Sequence, residues 1–387
     1  MGLFRTPLLE AELPALVLRA TATTTPAPAR LMVARGLAPM GPRDLCLALY
    51  QLALDGDTPV RAAAMKTAAD LPERIVQPVL GEALDARVLD FFAERLAERG
   101  PLLEQVLLNP ATHEETVYDF ARGGSERICE AIAVNEERLF RAPKIIEALY
   151  FNRGARMSMI DRLVEMAGRR GIALAGIPTS RDFGTRTEVE LPAVPASEAG
   201  GVDALFSDTL AFGDELETGL AGAAAEEPDE ADTTTNLDGG DDLLLKKGGD
   251  KAEKKLQQIG SLPVNAKIRL AMLGNSFHRA VLVRDSNKMV AMAAIRSPAV
   301  TDQEAVKYAG ARSVDDEVIR FISNKKEWMR LYTVKKNLVS NPKCPLPVAV
   351  RLLTHLRSVD LKILSTSKNV SSAVATAAKR LAQSRQS

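Results

Sequence analysis

The sequence predicts an all-α protein in which two related helical-repeat halves are separated by a disordered acidic linker. Three observations lead to this fold class: few aromatic residues, a spacing of capping residues that recurs in both halves, and charge that is segregated along the chain. The chain has 387 residues, and a single hydrophobic core stops growing at about 250–300 residues. We therefore expect two domains.

The composition of the apolar residues favours helices. Hydrophobic residues make up 46% of the chain, but aromatic residues only 4%. The core must therefore be filled mainly by Leu, Ala, Val, Ile and Met, whereas sandwiches and barrels depend on aromatic and β-branched side chains. Neither half contains a run of alternating apolar and polar residues that would predict strands.

A spacing of Asn and Ser residues recurs in the two halves, with intervals of 26 and 17 residues in the first half and of 27 and 17 residues in the second. The residues at these intervals are Asn109, Asn135 and Asn152, and then Ser297, Asn324 and Asn341. A shift of 188 residues, which rises to 189 after one insertion near Arg312, places residues of the first half on identical residues of the second. The matching residues are Pro110, Ala111, Ala121, Asn135, Arg141, Leu149, Asn152, Arg162 and Leu163. We interpret the two halves as copies of one unit.

The same residues predict where helices begin. Asn and Ser cap helix N-termini, and Pro is tolerated in the first turn, so we expect helices to begin at or just after these positions. Thr112 with Glu115, and Thr301 with Glu304, have the spacing of a capping box, in which two side chains satisfy free backbone N–H groups reciprocally. Downstream apolar residues at i, i+3 and i+4 predict helices with one buried face.

The match between the halves also predicts core residues. Leu163 and Leu352 occupy equivalent sites on the apolar stripe of a late helix. Trp328, the only tryptophan, corresponds to the apolar residue Leu139. We expect all four side chains to be buried.

The segments LLNPATHEETVYDFA (107–121) and LVSNPKCPLPVAVRLL (338–353) resemble the helix starts of variant leucine-rich repeats. The combined step of 43 residues is similar to that of HEAT and armadillo repeats. The resemblance covers about 57–170 and 262–380, and the unequal intervals of 26 and 17 residues favour helical hairpins. It implies an α-solenoid, which presents an extended surface to a partner.

Charge is segregated along the chain, although the formal net charge is zero. Residues 181–245 contain 17 acidic and two basic residues, a net charge of −15. Residues 261–387 contain 22 basic and eight acidic residues, a net charge of +14. A segment of low hydrophobicity and high charge cannot offset the entropy of ordering, so the acidic stretch is predicted to be disordered.

These observations divide the chain into four segments. Residues 1–30 form an N-terminal segment that ends in the Pro/Thr-rich linker TATTTPAPAR (21–30). A helical-repeat domain follows over 31–175, the disordered acidic linker over 176–258, and a basic helical-repeat domain over 259–387.

The residues that enzymes use are present but scattered. The chain contains no phosphate-binding loop, nucleophile elbow or zinc-protease motif. Its cysteines and histidines are far apart in the sequence: Cys46, Cys129, Cys344, His113, His278 and His355. We therefore expect no catalytic residue, no cofactor and no metal site, and we interpret the histidines as surface or structural residues. Isolated cysteines, with no signal-like or membrane-spanning run, predict a cytoplasmic protein.

A basic cluster in the second half is a candidate partner-binding surface. Its residues are Lys325, Lys326, Arg330, Lys335, Lys336 and Lys343. Cations beside an aromatic ring could form a recognition surface, and we expect it to bind an acidic protein partner. The alternative is a nucleic-acid-binding protein that uses this basic half, although aromatic residues for base stacking are sparse and no nucleic-acid-binding motif is present.

The acidic stretch contains apolar residues that have the composition of short docking segments. They are Leu205, Phe206, Leu210, Phe212, Leu243, Leu244 and Leu245. The alternative is that these residues occur by chance in a spacer. Tethering beside a basic domain of nearly equal and opposite charge makes an intramolecular contact favourable. The sequence thus predicts a non-catalytic scaffold or adaptor that binds protein partners and is masked by its own acidic linker.

Overall fold

The computed structural model describes residues 6–178, 199–221, 254–367 and 370–385, and at 199 and within 213–221 it describes the backbone alone. All regular structure in these ranges is helical, and no β-strand occurs in them, which confirms the all-α prediction. The contacts between residues divide the chain into two compact units, Met1–Ile177 (unit 1) and Pro178–Ser387 (unit 2). No helix in the described ranges is long and apolar enough to span a membrane.

Unit 1 contains twelve α-helices within its described residues. They are α1 (Ala15–Thr21), α2 (Ala27–Ala34), α3 (Pro42–Leu52), α4 (Thr58–Asp70), α5 (Glu73–Leu80), α6 (Ala86–Arg95), α7 (Gly100–Leu108), α8 (Glu114–Gly123), α9 (Glu126–Val134), α10 (Glu136–Arg141), α11 (Lys144–Tyr150) and α12 (Met157–Arg169). A short 3₁₀ helix, Glu10–Glu12, precedes α1.

Unit 2 begins with helices that flank the undescribed residues 222–253. Its described helices are α13 (Ala199–Ala221), α14 (254–261), α15 (Val264–Leu273), α16 (Ser276–Leu282), α17 (Lys288–Arg296), α18 (Asp302–Gly310), α19 (Asp316–Asn324), α20 (Tyr332–Ser340), α21 (Leu346–Leu353), α22 (Ser358–Thr366) and α23 (Ser372–Ser384). A 3₁₀ helix, Trp328–Arg330, lies between α19 and α20.

The helices of each unit pack in consecutive groups. The groups are α2–α4, α5–α7 and α8–α11 in unit 1, and α15–α17, α18–α20 and α21–α23 in unit 2. In every group the first helix packs against the last. Three of these groups also pack against the next one, with the last helix of one group on the second helix of the following group. The pairs are α4 with α6, α7 with α9 and α17 with α19. The two units therefore repeat one local packing scheme.

The expected core positions are buried. The side chains of Leu139, Leu163, Trp328 and Leu352 are between 0 and 3% exposed. The ring of Trp328 meets that of Phe321 edge to face, with centroids 6.1 Å apart. The match between the halves therefore identified the buried face of these helices correctly.

The predicted role of most spacing residues as helix starts is wrong. Asn135 does cap α10, accepting the backbone N–H of Arg138 at 3.1 Å, but Asn109, Asn152 and Asn341 each follow the end of a helix. Each buried amide donates to two carbonyl oxygens at the C-terminal end of the first helix of its own group, and its oxygen accepts the backbone N–H two residues ahead. The donated bonds run from Asn109 to Leu80 and Glu82, from Asn152 to Ala121 and Gly124, and from Asn341 to Ala309 and Ala311, at 2.7 to 3.1 Å. An amide has both donors and an acceptor, so one buried Asn can join two segments. We call these three residues the amide clamps.

The two predicted capping boxes differ in outcome. Thr301 and Glu304 form the reciprocal box at the start of α18, as predicted. Thr112 does not cap α8, because its buried hydroxyl donates to the carbonyl of Val106 at 2.5 Å. His113 caps α8 instead, its Nδ1 accepting the backbone N–H of Glu115 at 3.2 Å.

Two segments predicted as linkers contain helices. Within 21–30, α2 begins at Ala27, because proline is compatible with the cap and the first turn of a helix. An ion pair also holds this helix, since the Arg30 Nε lies 3.2 Å from a carboxylate oxygen of Asp55. Within the predicted disordered linker 176–258, residues 199–221 form α13 and 254–261 form α14. The helical spacing of Phe206 and Leu210 places both side chains on one face of α13, where packing offsets the entropy of ordering. Of the remaining linker residues, 176–178 are described and are not helical, whereas 179–198 and 222–253 lie outside the described residues.

Candidate partner-binding site

The predicted docking residues of the acidic segment lie on α13. Phe206 and Leu210 are 2% and 6% exposed, Thr209 between them is fully buried, and Leu205 and Phe212 are half-buried. This face packs against α15 and α16, so the segment covers part of unit 2. Leu243, Leu244 and Leu245 lie outside the described residues.

Aromatic and cationic side chains line the surface that receives α13. The guanidinium of Arg269, on α15, lies 5.1 Å from the ring centroid of Phe206 and is fully buried. The rings of Phe277, on α16, and Phe212 meet edge to face with centroids 6.0 Å apart. A cation over a ring is favourable, more so where water is excluded. We call the surface formed by Lys255, Arg269, Phe277 and His278 the α15–α16 groove.

His278 connects this groove to the backbone of α13. Its Nδ1 accepts the backbone N–H of Asn275 at 3.2 Å, and its Nε2 lies 2.9 Å from the carbonyl oxygen of Thr209. Because Nδ1 is an acceptor, a neutral ring carries its proton on Nε2 and donates it to Thr209. The ring is fully buried, so this bond forms away from water. His278 is therefore a structural histidine, as predicted, with a specific contact to α13.

Lys255, on α14, supplies the charged contact of the groove. Its ammonium forms an ion pair with Asp208 of α13 and lies 5.7 Å from the ring centroid of Phe212. Asp208 itself is exposed, so the pair lies at the rim. The groove thus contacts two aromatic rings, a backbone carbonyl and a carboxylate of one helix.

Sequence reasoning assigned none of the groove residues to the binding of α13, although it interpreted His278 as a structural residue. The ion pair joins residues 47 positions apart and the histidine contact joins residues 69 positions apart. Neither separation leaves a periodic signal in the sequence. The single local indication was the box formed by Asn275 and His278, which marks the start of α16.

The predicted basic cluster does not form one free surface. The ammonium of Lys325 lies 3.9 Å from the ring centroid of Trp328, and that of Lys336 lies 2.9 Å from a carboxylate oxygen of Asp360. Lys343 donates to the carbonyl of Val314 at 2.7 Å. The remaining members are Lys326, Arg330 and Lys335, whose side chains have no hydrogen bond or ion pair within the described residues. These three residues form what we call the open cations.

Lys336 belongs to a polar network between α20 and α22. The hydroxyl of Tyr332 donates to Asp360 and accepts the backbone N–H of Arg357 at 3.0 Å. Burial acts to raise the pKa of Asp360, but its bonds to Tyr332 and Lys336 lower the pKa below its ordinary value. Burial and the bond to Asp360 raise the pKa of Tyr332. The carboxylate therefore stays ionised and holds the two helices together.

Exposed aliphatic side chains lie on the helices that follow the basic cluster. Leu346 and Val350, on α21, are 46% and 39% exposed, and Val359 and Ile363, on α22, are 68% and 51% exposed. Each pair is four residues apart, so its members lie on one face of their helix. Such residues are the apolar component expected of a protein-binding surface.

The described residues contain no cluster of His, Cys, Asp and Glu that could hold a metal ion. Burial raises the pKa of the Cys46 thiol to about 12 and that of Cys344 to about 11, so both thiols are protonated at neutral pH. Cys129 is also buried. His113 caps a helix, and His355 is exposed on the turn after α21.

No protein family, curated protein or solved structure matches this chain.

Proposed function

We propose that the protein is a non-catalytic scaffold or adaptor that binds protein partners through surfaces of two α-solenoids. The recurring packing of first against last helix, together with the amide clamps, supports the solenoid arrangement. Three free, buried cysteines support a reducing compartment, and we propose the cytoplasm.

One observation carries the proposal: unit 2 already holds a helix of the acidic segment. The ring of Phe206 and the Thr209 carbonyl contact the α15–α16 groove, Leu210 is buried on the same face of α13, and Asp208 pairs with Lys255 at the rim. Binding an amphipathic helix in a groove is a recurring mode of peptide recognition. The surface of unit 2 thus has the chemistry of a protein-binding module that is partly masked by its own chain.

The open cations give this module a second contact region for an acidic partner. They lie close to the 3₁₀ helix and α20, and α22 with its exposed aliphatic pair is joined to α20 through Lys336 and Asp360. Positive charge beside exposed aliphatic side chains suits an acidic protein segment that carries apolar residues.

The test compares two full-length variants with the same change in charge. Lys326→Glu, Arg330→Glu and Lys335→Glu together reverse the open cations. The control reverses exposed cations outside the cluster: Lys307→Glu, Arg312→Glu and Lys379→Glu. In affinity capture followed by mass spectrometry at low salt, the first variant is expected to lose acidic proteins that the wild type and the control retain. Equal capture by all three proteins would contradict the proposal.

Nucleic-acid binding is the second candidate function, because the open cations are not neutralised within the described residues. Phosphate binding depends steeply on salt, since each neutralised phosphate releases counterions. Nuclease treatment before capture separates the two functions. If the cation-dependent signal disappears with nuclease, and purified protein binds DNA or RNA with a steep salt slope, the nucleic-acid function replaces the scaffold.

A further inference from the structure

The two units begin differently, and the difference concerns the helix that covers the first helical group. Within the described residues, the second helix of a later group packs against the last helix of the group before it at α6 and α9 in unit 1 and at α19 in unit 2. The first groups have no such predecessor. In unit 1, α1 packs on α3 and α2, and in unit 2, α13 packs on α16 and α15. Both helices therefore cover the open side of a first group.

The first groups of the two units also share a local ion pair. Arg30 on α2 lies 3.2 Å from Asp55, and Lys267 on α15 lies 3.1 Å from Asp285. Each acid lies in the turn between the second and third helices and accepts the N–H two residues ahead, at 2.8 Å. These shared contacts make α2–α4 and α15–α17 equivalent, and hence α1 and α13 equivalent in position.

The connections of these covering helices differ greatly in length. Residues 22–26 join α1 to α2, so five residues hold α1 beside its group. By contrast, 32 residues, 222–253, separate α13 from α14. A short connection keeps a helix in place at a high local concentration, whereas a long connection lowers that concentration. The short connection therefore holds α1 beside its group, while the position of α13 depends more on the contacts of the helix itself.

The contacts made by the described side chains of α13 are specific but few. The described side chains of α13 bury one helical turn, with Phe206, Thr209 and Leu210 inside and their neighbours Ser207 and Asp208 exposed. Two groove residues contact this turn through polar groups: the Arg269 guanidinium lies over the ring of Phe206, and the His278 Nε2 lies at the Thr209 carbonyl. A different helix with the same pattern of side chains would offer the groove the same contacts.

We propose that the α15–α16 groove is a binding site for an amphipathic helix of a partner protein, and that α13 is its exchangeable intramolecular occupant. The partner helix carries an aromatic residue, an acidic residue two positions later and an aliphatic residue two positions after that, as in Phe206, Asp208 and Leu210. The pattern fits a helix because the aromatic and aliphatic residues are four positions apart. This inference rests on the proposed function and names the surface and the chemistry of the partner.

The tethered α13 and an added helix compete for the α15–α16 groove, so the tether weakens the apparent affinity for the added helix. A tethered helix with an effective concentration of about 1 mM and an intrinsic Kd of about 100 μM occupies its groove about nine-tenths of the time. An added helix of the same sequence would then bind about tenfold more weakly to the intact chain than to a chain whose groove is vacant.

The experiment uses the full chain and a fluorescent peptide of residues 199–221 as the probe. Fluorescence anisotropy measures its binding to the wild type and to Phe206→Ala/Leu210→Ala, which removes the buried face of the tethered helix. We expect about tenfold tighter binding to the double variant. The control variant Ser207→Ala/Ala211→Ser, changed at exposed positions of the same helix, should bind as weakly as the wild type. A peptide that carries Phe206→Ala and Leu210→Ala should not bind the double variant.

A charge exchange tests whether the peptide enters the groove itself. In the double variant, Lys255→Glu should weaken binding of the natural peptide, and a peptide with Asp208→Lys should restore it. If the double variant does not fold, a protease site placed within 222–253 offers a second measurement. Cutting the folded wild-type chain removes the tether, so the peptide should then bind about tenfold more tightly on dilution.

The outcomes distinguish this proposal from the general function. If the peptide binds the wild type as tightly as it binds the double variant and the cut chain, α13 is a permanent cover like α1. That result would overturn the proposal. A dimer in light scattering that disappears in the double variant would instead assign the groove to α13 of a second copy. Neither result affects capture through the open cations, and loss of that capture does not affect peptide binding to the groove.

Discussion

The group α8–α11 of unit 1 and the group α18–α20 of unit 2 have the same helix order but different buried polar contacts. Both groups end in an amide clamp, Asn152 in the first and Asn341 in the second, which holds the carbonyl end of the group's own first helix. The residues that join each group to the helix group before it differ in charge. The clamps are therefore common to both units, while the joints between groups are specific to one unit.

The joint of unit 1 is a hydrogen bond and that of unit 2 is an ion pair. Thr116 on α8 donates to the carboxylate of Asp90 on α6 at 2.7 Å. At the matching position of unit 2, Glu304 on α18 accepts two hydrogen bonds from Arg279 on α16, at 2.9 and 3.1 Å. Both pairs are buried. One helix arrangement thus accommodates two different solutions for a buried carboxylate.

A second joint exists in unit 1 alone among the matched positions. The buried guanidinium of Arg138 donates to the carbonyls of Leu107 and Asn109. Glu327, which matches Arg138 in the repeat, has a side chain that is 77% exposed. Since unit 2 lacks this contact at the matched position, its ion pair should carry more of the stability of the joint.

The largest effect is expected from breaking the ion pair of unit 2. Arg279→Met leaves the Glu304 carboxylate buried without its cation, which costs about 3–5 kcal/mol of unfolding free energy. Thr116→Val in unit 1 leaves Asp90 without one hydrogen bond and should cost about 1–3 kcal/mol. Urea denaturation of the full-length variants measures both, with Arg279→Met/Glu304→Leu as the control that removes both charges. Similar losses in the two units would show that the difference in charge has no energetic consequence.

The next effect concerns the apolar positions that the two units share. Leu163→Ala and Leu352→Ala each remove a buried side chain and should cost about 2–5 kcal/mol. Leu346→Ala, at a half-exposed position on the same helix as Leu352, is the control and should change stability by less than about 0.5 kcal/mol. If denaturation curves show that either core variant loses as little unfolding free energy as the control, the helix that carries the changed residue packs differently in solution.

The amide clamps should give an intermediate effect of the same size in both units. Asn152→Ala and Asn341→Ala each leave two buried carbonyls without a donor, at a cost of about 1–3 kcal/mol. Ser297, which matches Asn109, makes one bond of 3.4 Å to Met272, so Ser297→Ala should cost less than about 1 kcal/mol. Thermal melting ranks the three variants. A loss for Ser297→Ala equal to that of the clamps would remove the distinction between them.

The smallest effect is expected in the pH dependence of stability, because the two buried carboxylates oppose each other. Burial raises the pKa of Asp90 more than its bond to Thr116 lowers it. Burial also acts to raise the pKa of Glu304, but the bonds to Arg279 and Thr301 outweigh it and lower the pKa. At pH values above 4.5, the ordinary pKa of the group, ionised Glu304 stabilises the fold, and this stability is lost as pH falls. Ionised Asp90 destabilises the fold, and this loss is recovered as pH falls.

Two conservative variants separate these contributions. The stability difference between the wild type and Glu304→Gln should shrink as pH falls below 4.5. Asp90→Asn removes the cost of the buried charge, and its advantage over the wild type should shrink as pH falls towards 3.8. Urea denaturation between about pH 3 and 7 measures both differences. Parallel curves for the two variants would contradict the opposite signs of the shifts.

Much of the fold was predictable because its signals are local. Helical periodicity placed Leu163 and Leu352 on buried faces, and a box of two residues placed the start of α18 at Thr301. Such signals act over three or four residues of one helix, so they survive without knowledge of the rest of the chain. The candidate site was only half predictable: Phe206 and Leu210 stood out among acidic residues, but the groove that receives them did not.

The sequence by itself determined the helical class, the repetition of one unit and the apolar faces, because composition and periodicity are properties of each segment alone. The tertiary structure decided what each polar residue does. Asn135 caps a helix and Asn152 clamps two segments, although both occur in the same spacing pattern. An amide adopts whichever role the neighbouring backbone offers, and for Asn152 that backbone lies 28 and 31 residues away. The same reason makes 199–221 a docked helix within an acidic segment, since its partner surface forms only when α15 and α16 pack together and Lys255 of α14 reaches α13.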